Sequence, residues 1–169
     1  DAILTGAGGT FCSGMDLKAF VRGENAITRE RGFAGITARP PRKPIIAAVE
    51  GYALAGGCEI VLSCDLVVAA ENAFFGLPEV RRGLVAGSGG LLRLPARIPY
   101  QVAMQLALTG DRLSAADAHR YGLVNTLTAP GGALAEARRL AARIAANAPL
   151  AVAATKWTIS CAATWPADQ

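Results

Sequence analysis

Residues Pro44 to Asp65, PIIAAVEGYALAGGCEIVLSCD, form the most informative stretch of the chain. The apolar run from Ile45 to Val49 is typical of a strand that is buried on both faces. A small-residue turn, Ala55-Gly56-Gly57, comes next, and residues 57–63 follow it with a helical pattern. A buried strand that leads through a glycine-rich turn into a helix points backbone N–H groups at an anion. We therefore predict that this turn binds the oxygen of an activated carbonyl group.

The composition predicts one globular domain with neither a nucleic-acid partner nor a membrane span. The chain has 169 residues, of which 52% are hydrophobic and 18% charged. Its formal net charge of +4 comes from scattered basic residues without interleaved aromatics, which argues against nucleic-acid binding. No window of about 18 residues is apolar and charge-free enough to cross a bilayer. The cysteines at 12, 58, 64 and 161 lack metal-ligand or redox spacing, and they indicate a reducing, cytoplasmic location.

Short strands alternate with helices early in the chain, and helices dominate later. The segments with a strand pattern are 2–5, 45–49, 66–70, 73–76 and 123–127. The segments with a helical pattern are 16–21, 57–63, 101–109, 114–121, 133–146 and 149–162. The polar, arginine-rich region 22–43 is expected to contain a loop and a helix that ends at Pro40-Pro41. This order of elements predicts an α/β fold with a helical C-terminal part.

Two glycine turns can each present a free backbone N–H group. Gly14-Met15-Asp16 and Ala55-Gly56-Gly57 both lie between a strand-like run and a helix, where the first N–H groups of the helix have no partner. Two N–H groups that converge on one oxygen form an oxyanion hole, which stabilises negative charge on a carbonyl oxygen. We expect these two turns to form such a hole.

Two glutamates are candidates for the acid and base roles. Glu59 lies just after the second turn, and helical side chains lean toward the N-terminus, so its carboxylate is expected near the hole. A solvent-facing glutamate on a face shared with Ser63 is an equally good interpretation. Glu79 follows the turn FGLP, and its local sequence favours a surface ion pair with Arg81 or Arg82. If both carboxylates lie at one reacting centre, burial can separate their pKa values and divide the two roles.

Other catalytic classes lack the residues that they need. The single histidine, His119, lies on a polar helix, which argues against a Ser-His-Asp or Cys-His hydrolase. The segment GAGGTF at 6–11 imitates a dinucleotide fingerprint, but Phe11 holds the third glycine position and no helix opens within it. A nicotinamide-binding domain remains a minor alternative.

The chain resembles the crotonase, or enoyl-CoA hydratase/isomerase, family through three motifs in the right order. They are TGAGGTFCSGMDL at 5–17, KPIIAAVEGYALAGGCEIVLSCDLVVAAENAFFGLPEVRRGLVAGSGG at 43–90 and LTGDRLSAADAHRYGLVN at 108–125. The resemblance implies a spiral of repeated ββα turns with the active site in 1–110. It also implies a helical region in 111–169 that belongs to the same structural unit and assembles a homotrimer or a hexamer built as a dimer of trimers.

The resemblance also implies acyl-CoA thioester substrates and a set of site residues. The two hole N–H groups would come from Met15 and Gly56, and Glu59 and Glu79 match the two carboxylates of the true hydratases. The residues implied in substrate binding are Met15, Asp16, Leu17, Lys18, Gly56 and Gly87. The family chemistry needs neither a metal nor a redox cofactor, and coenzyme A enters only as part of the substrate.

The presence of both carboxylates favours an enoyl-CoA hydratase, a lyase of fatty acid β-oxidation that adds water to a trans-2-enoyl-CoA. Within the family the main alternative is a double-bond isomerase or another acyl-CoA enzyme. A non-catalytic acyl-CoA-binding subunit is the alternative from another class. The opening strands and last helices of the family are missing, which implies a fragment. Ala55 stands where many relatives have glycine.

Overall fold

The structure is a computed structural model, and it describes residues 1–162. The strands are β1 (Ala2–Thr5), β2 (Ile27–Thr28), β3 (Gly32–Phe33), β4 (Ile45–Val49), β5 (Tyr52–Leu54), β6 (Leu66–Ala70), β7 (Phe74–Gly76), β8 (Leu113–Ser114) and β9 (Thr126–Thr128). The α-helices are α1 (Leu17–Val21), α2 (Gly56–Ser63), α3 (Gly90–Arg93), α4 (Tyr100–Thr109), α5 (Ala115–Arg120), α6 (Ala133–Ala145) and α7 (Pro149–Cys161). Two short 3₁₀ helices cover Pro78–Arg82 and Leu94–Ala96.

The strands form two main sheets, and from β4 to β7 successive strands belong to the two sheets in turn. The first sheet is parallel, with the order β1-β4-β6-β9, and the second has the order β5-β7-β8. In the second sheet β7 is parallel to β5 and antiparallel to β8. The chain passes from β4 to β5 and into α2, and then from β6 to β7 and into the next helices. This repeated strand–strand–helix turn confirms the predicted α/β spiral.

The first sheet is buried on both faces, as the continuous apolar run in β4 predicts. On one face, Ile46 and Ala48 pack against Ala133 and Ala137 of α6. The alternate residues of β4, including Val49, face the larger central core. Every residue of β4 is buried, which explains why this strand is apolar rather than alternating.

The region 22–43 differs from its prediction, because it contains no helix. It forms the short antiparallel hairpin of β2 and β3 instead. Gly32, Ala34 and Gly35 have φ values of 75°, 51° and 72°, and a right-handed helix cannot contain residues with such values. The predicted strand at 123–127 also lies later, at β9.

Residues after 110 share the core of the earlier residues. The strand β9 pairs with β6 in the first sheet, and α6 covers that sheet. Lys156 on α7 donates to Asp65 Oδ2 over 2.6 Å and to the Pro41 carbonyl over 2.7 Å. Within residues 1–162, no helix has the length and apolar character that a membrane span requires.

Candidate active site

Two parallel strands deliver the two candidate carboxylates to the same edge of the second sheet. Leu54 at the end of β5 is in register with Gly76 at the end of β7, and the Ala55 N–H donates to the Gly76 carbonyl over 2.9 Å. The chain leaves β5 into α2, which carries Glu59, and leaves β7 into the 3₁₀ helix that carries Glu79. Side chains that follow adjacent parallel strands meet at one sheet edge, where open α/β folds place their ligands.

The two glycine turns also meet at this edge. Cys12 forms a parallel bridge with Ala53 in β5. The Cys12 N–H donates to the Tyr52 carbonyl over 3.0 Å, and the Leu54 N–H donates to the Cys12 carbonyl over 2.9 Å. This bridge sets the first turn beside the second, so that a Cβ added to Gly14 would lie 3.1 Å from the Gly56 nitrogen.

The N–H groups of Met15 and Gly56 are both available for a ligand. Among residues 1–162, neither group donates a hydrogen bond to another protein atom. Gly56 is the first residue of α2, so its N–H belongs to the unpaired donors at a helix start. Met15 is half-buried and packs against the central core. The role of the two groups in an oxyanion hole stays a prediction.

Glu59 is a buried carboxylate that is held by backbone donors. Its exposed fraction is 3%, and its Oε1 accepts hydrogen bonds from the Ser88 N–H at 2.6 Å and the Gly90 N–H at 3.0 Å. The alternative of a solvent-facing glutamate is therefore wrong. Ser63, which would share that face, instead donates its hydroxyl to the Glu59 carbonyl over 2.8 Å. Both backbone donors bind Oε1, and no hydrogen bond to Oε2 is formed among residues 1–162.

Glu79 is the second carboxylate, and its environment is apolar. The pKa of Glu79 lies above its usual range, mainly because burial disfavours the charged form and further because the Glu59 charge is near. Its Oε2 is buried and has no hydrogen-bond partner within the described chain. Within residues 1–162 Glu79 forms no ion pair with Arg81 or Arg82, and Arg81 binds Asp111 and the Thr109 carbonyl instead. A raised pKa favours the protonated form of the carboxyl group, and this suits it to act as an acid.

Cys58 lies close to both carboxylates, but its thiol is unreactive. Burial raises the pKa of its thiol to about 12, and the Glu79 and Glu59 charges also raise it. The group therefore stays protonated at neutral pH and serves as a small core residue.

The other predicted binding residues lie on exposed segments around this edge. Asp16 uses its Oδ1 to cap α1, through the N–H groups of Lys18 at 2.8 Å and Ala19 at 3.1 Å. Leu17 and Lys18 are exposed on α1, a helix with no buried residue. Gly87 is exposed in the loop before Ser88, and a Cβ there would meet only the Val85 carbonyl within 4 Å. The roles of these residues in binding stay predictions.

The sequence reasoning missed two parts of the site. Ser88 and Gly90, which hold Glu59, belong to the glycine-rich segment that ends the second family motif, and such a segment presents N–H groups to an anion. Here that anion is a glutamate of the same chain. The ring of Phe33 lies against Gly56, where an added Cβ would be 2.5 Å from Cε1. The spacing of residues gives no signal for this contact.

The glycine turn at 6–9 lacks the geometry of a dinucleotide site. The next helix, α1, begins only at Leu17, and Cys12 runs extended between them to pair with β5. A dinucleotide fingerprint needs a helix that opens at the third glycine. This removes the basis for the nicotinamide alternative.

Comparisons with known proteins give a family and several near relatives. The chain matches the enoyl-CoA hydratase/isomerase family over residues 1–168. An enoyl-CoA hydratase from Mycobacterium marinum is 65% identical with a TM-score of 0.96, over 98% of this chain and 66% of that chain. One from Mycobacterium tuberculosis H37Rv is 64% identical with a TM-score of 0.96, over the same shares. The carnitinyl-CoA dehydratase of Proteus mirabilis (strain HI4320) is 46% identical over 159 residues, 92% of this chain and 61% of that protein.

The chain therefore spans less than two thirds of the length of these relatives, 66% of the two hydratases and 61% of the dehydratase. The match nevertheless includes both glycine turns, both glutamates and the loop that holds Glu59. The chain belongs to the enoyl-CoA hydratase/isomerase family.

Proposed function

We propose that the protein is an enoyl-CoA hydratase, which adds water across the double bond of a trans-2-enoyl-CoA. One observation carries the proposal. Two unpaired N–H groups, of Met15 and Gly56, lie at the same sheet edge as one buried, backbone-held carboxylate and one carboxyl group with a raised pKa. The hydratases among its relatives support the same reaction class.

The hole activates the substrate. The thioester carbonyl accepts hydrogen bonds from the Met15 and Gly56 N–H groups, and the N-terminus of α2 adds partial positive charge at the same point. Electron density moves from the conjugated double bond to the carbonyl oxygen. The β-carbon becomes electrophilic, and an enolate-like oxygen develops in the hole.

The two carboxylates divide the remaining steps. Glu59 orients a water molecule through its Oε2 and takes a proton from it as the water attacks the β-carbon. Glu79, which holds its own proton more tightly than an ordinary glutamate, gives that proton to the α-carbon. The two steps together add one water molecule to the double bond, which requires neither a metal nor a redox cofactor. Coenzyme A takes part only as the thioester portion of the substrate.

An apolar cavity beside Glu79 provides space for the acyl tail. Its volume is about 390 Å³, and Glu79 is its one charged lining residue among residues 1–162. Aliphatic side chains form most of the wall, among them Leu77, Leu94 and Met104, and Tyr100 adds the one aromatic ring. A quaternary ammonium group is recognised by several aromatic faces or by free carboxylates. This wall suits an uncharged aliphatic tail better than a carnitinyl group.

The direct test is hydration of crotonyl-CoA and longer enoyl-CoAs by the full-length protein, followed by loss of the absorbance of the conjugated thioester. The variant Glu79→Gln should lower kcat by about 10²–10⁴, because it removes the acid. Its affinity for acyl-CoA should be retained. Turnover of this variant near the wild-type value would remove Glu79 from the mechanism.

Substrate comparisons separate the alternatives. Conversion of a 3-enoyl-CoA to the 2-enoyl isomer without hydration would indicate a double-bond isomerase. Tight acyl-CoA binding with no turnover of any enoyl-CoA would indicate a non-catalytic subunit. A higher kcat/KM for carnitinyl-CoA dehydration than for hydration of an unbranched enoyl-CoA would contradict the aliphatic tail.

A further inference from the structure

Arg93 connects two segments that border the candidate site. Its Nη2 donates to the Thr37 carbonyl over 2.5 Å, and its Nη1 donates to the Ser88 carbonyl over 3.3 Å. A side chain at Gly89 would collide with the guanidinium group, which shows that the loop passes directly over it. One planar side chain therefore ties the loop 87–90 to the segment 33–37.

Each of these segments supports a different half of the site. In the loop, the Ser88 N–H donates to Glu59 Oε1 over 2.6 Å, so the position of Ser88 sets the position of the carboxylate. In the other segment, the buried Thr37 accepts the Phe33 N–H at its Oγ1 over 2.8 Å. The Phe33 ring then lies against Gly56 of the hole. Arg93 thus links the loop that holds Glu59 to the segment that packs against Gly56.

The charge of Arg93 also acts on this region. Its contacts are to carbonyl oxygens, and it forms no ion pair within residues 1–162. Burial and the nearby Arg97 lower the pKa of Arg93, while the Glu59 charge acts in the opposite direction. A positive charge behind the loop therefore balances the negative charge of Glu59 across it.

We propose that Arg93 is a positioning residue for the hydration reaction, which clamps the Glu59-binding loop to the wall of the oxyanion hole. The inference rests on the proposed function for its kinetic part. Its structural part, the clamp on the Ser88 and Gly90 N–H groups, can be measured without turnover.

The experiment compares Arg93→Met, Arg93→Lys and a matched control, Arg97→Met, in the full-length protein. Arg97 is more exposed than Arg93, but it also donates to backbone carbonyls, those of Leu62 and Cys64 at 3.5 and 3.3 Å. These carbonyls lie at the far end of α2 from the hole. The control therefore loses an arginine that makes the same kind of backbone contact, but it leaves the clamp intact.

The first readout is the division of effects between kcat and KM. Arg93→Met should lower the kcat for crotonyl-CoA hydration by about 10–100-fold, as a displaced catalytic group does. Its KM should change by less than about threefold, since the binding surface remains. Arg93→Lys should give an intermediate kcat, because lysine keeps the charge but loses the two-pronged geometry. Arg97→Met should keep kcat within about threefold of wild type.

The second readout is amide hydrogen exchange at Ser88 and Gly90, which needs no activity. Both amides should exchange at least about tenfold faster in Arg93→Met and stay near wild type in Arg97→Met. If wild type hydrates no enoyl-CoA, the proposed function fails and exchange alone decides the clamp. Unchanged exchange in Arg93→Met overturns the clamp. A kcat loss that is equal in Arg93→Met and Arg97→Met overturns the positioning role.

Discussion

Ala55 has a backbone conformation that a residue with a side chain rarely adopts. Its φ of 50° and ψ of −126° lie outside the allowed regions for L-residues, and it directly precedes Gly56, a residue of the proposed hole. Holding a non-glycine residue in such a conformation costs about 1–3 kcal/mol. The strain persists because β5 and α2 are both packed into the core on either side of the turn.

We expect Ala55→Gly to raise the free energy of unfolding by about 1 kcal/mol, because relief of strain exceeds the entropy that glycine adds to the unfolded chain. The matched control is Ala53→Gly, two residues earlier in β5 and fully buried. That variant should lower the free energy of unfolding by about 1–2 kcal/mol through lost burial and greater chain entropy. Urea unfolding measures both. A lower stability for Ala55→Gly would show that the turn is unstrained.

Glu79 should make stability depend on pH in a definite direction. Burial raises its folded-state pKa above the unfolded value, so the folded protein holds the proton more tightly. Its favourable contribution is then fully present below the unfolded pKa of about 4.3 and is lost as pH rises through the folded pKa. The stability of wild type relative to Glu79→Gln should therefore fall from pH 4 upward until it levels above that folded pKa. A parallel pH dependence in the two proteins, measured by urea unfolding, would contradict the raised pKa.

The capping of α6 shows how a distant residue can hold a helix. The Glu50 carboxylate accepts the Gly131 N–H and the Ala133 N–H, both at 3.0 Å, and so binds the first N–H of the helix and one N–H of the turn before it. Its negative charge also faces the positive end of the helix dipole. Since α6 covers one face of the first sheet, this contact stabilises the attachment of the whole C-terminal region.

Glu50→Ala should lower the free energy of unfolding by about 1–2 kcal/mol, which is the upper range for loss of a helix cap. The control is Glu24→Ala, which removes only an exposed ion pair with Arg22. That change should alter stability by less than about 0.5 kcal/mol. Equal effects of the two substitutions in thermal unfolding would mean that the cap contributes nothing.

Elements with a strong local pattern were predictable from the sequence, and elements that depend on distant pairing were not. The strands β1, β4 and β6 and the long helices α4, α6 and α7 carry clear periodic or apolar runs. In contrast, β5 and α3 have only three and four residues, too few to show a period. The strand β5 forms because it pairs with β7 and with Cys12.

The site follows the same rule. Spacing along the chain placed Glu59 beside Gly56, and the family resemblance added Glu79 as its partner. The N–H donors to Glu59 come from residues 29 and 31 positions later, and only the folded loop brings them there. The Arg93 contact with Thr37, at a separation of 56 residues, is equally invisible to local pattern.

The helix α7 is exposed along its length. None of its residues is buried, yet it is apolar on opposite sides, with Leu150 86% and Ile159 70% exposed. A helix that is hydrophobic all round is normally covered. Lys156 fixes its inner side to Asp65, so the outer apolar side has a set direction. We expect a second copy of the protein to cover it in a homotrimer or a dimer of trimers.

Light scattering of the full-length protein should give the mass of three or six chains. Ile159→Lys should weaken this assembly by at least about tenfold, because it places a charge in an apolar contact. Ala135→Lys is the control, since it adds the same charge to the exposed side of α6. Unfolding curves of the two variants show whether Ile159→Lys acts on assembly rather than on folding. A wild-type mass of one chain, or equal masses for wild type and a folded Ile159→Lys, would contradict the role of α7 in assembly.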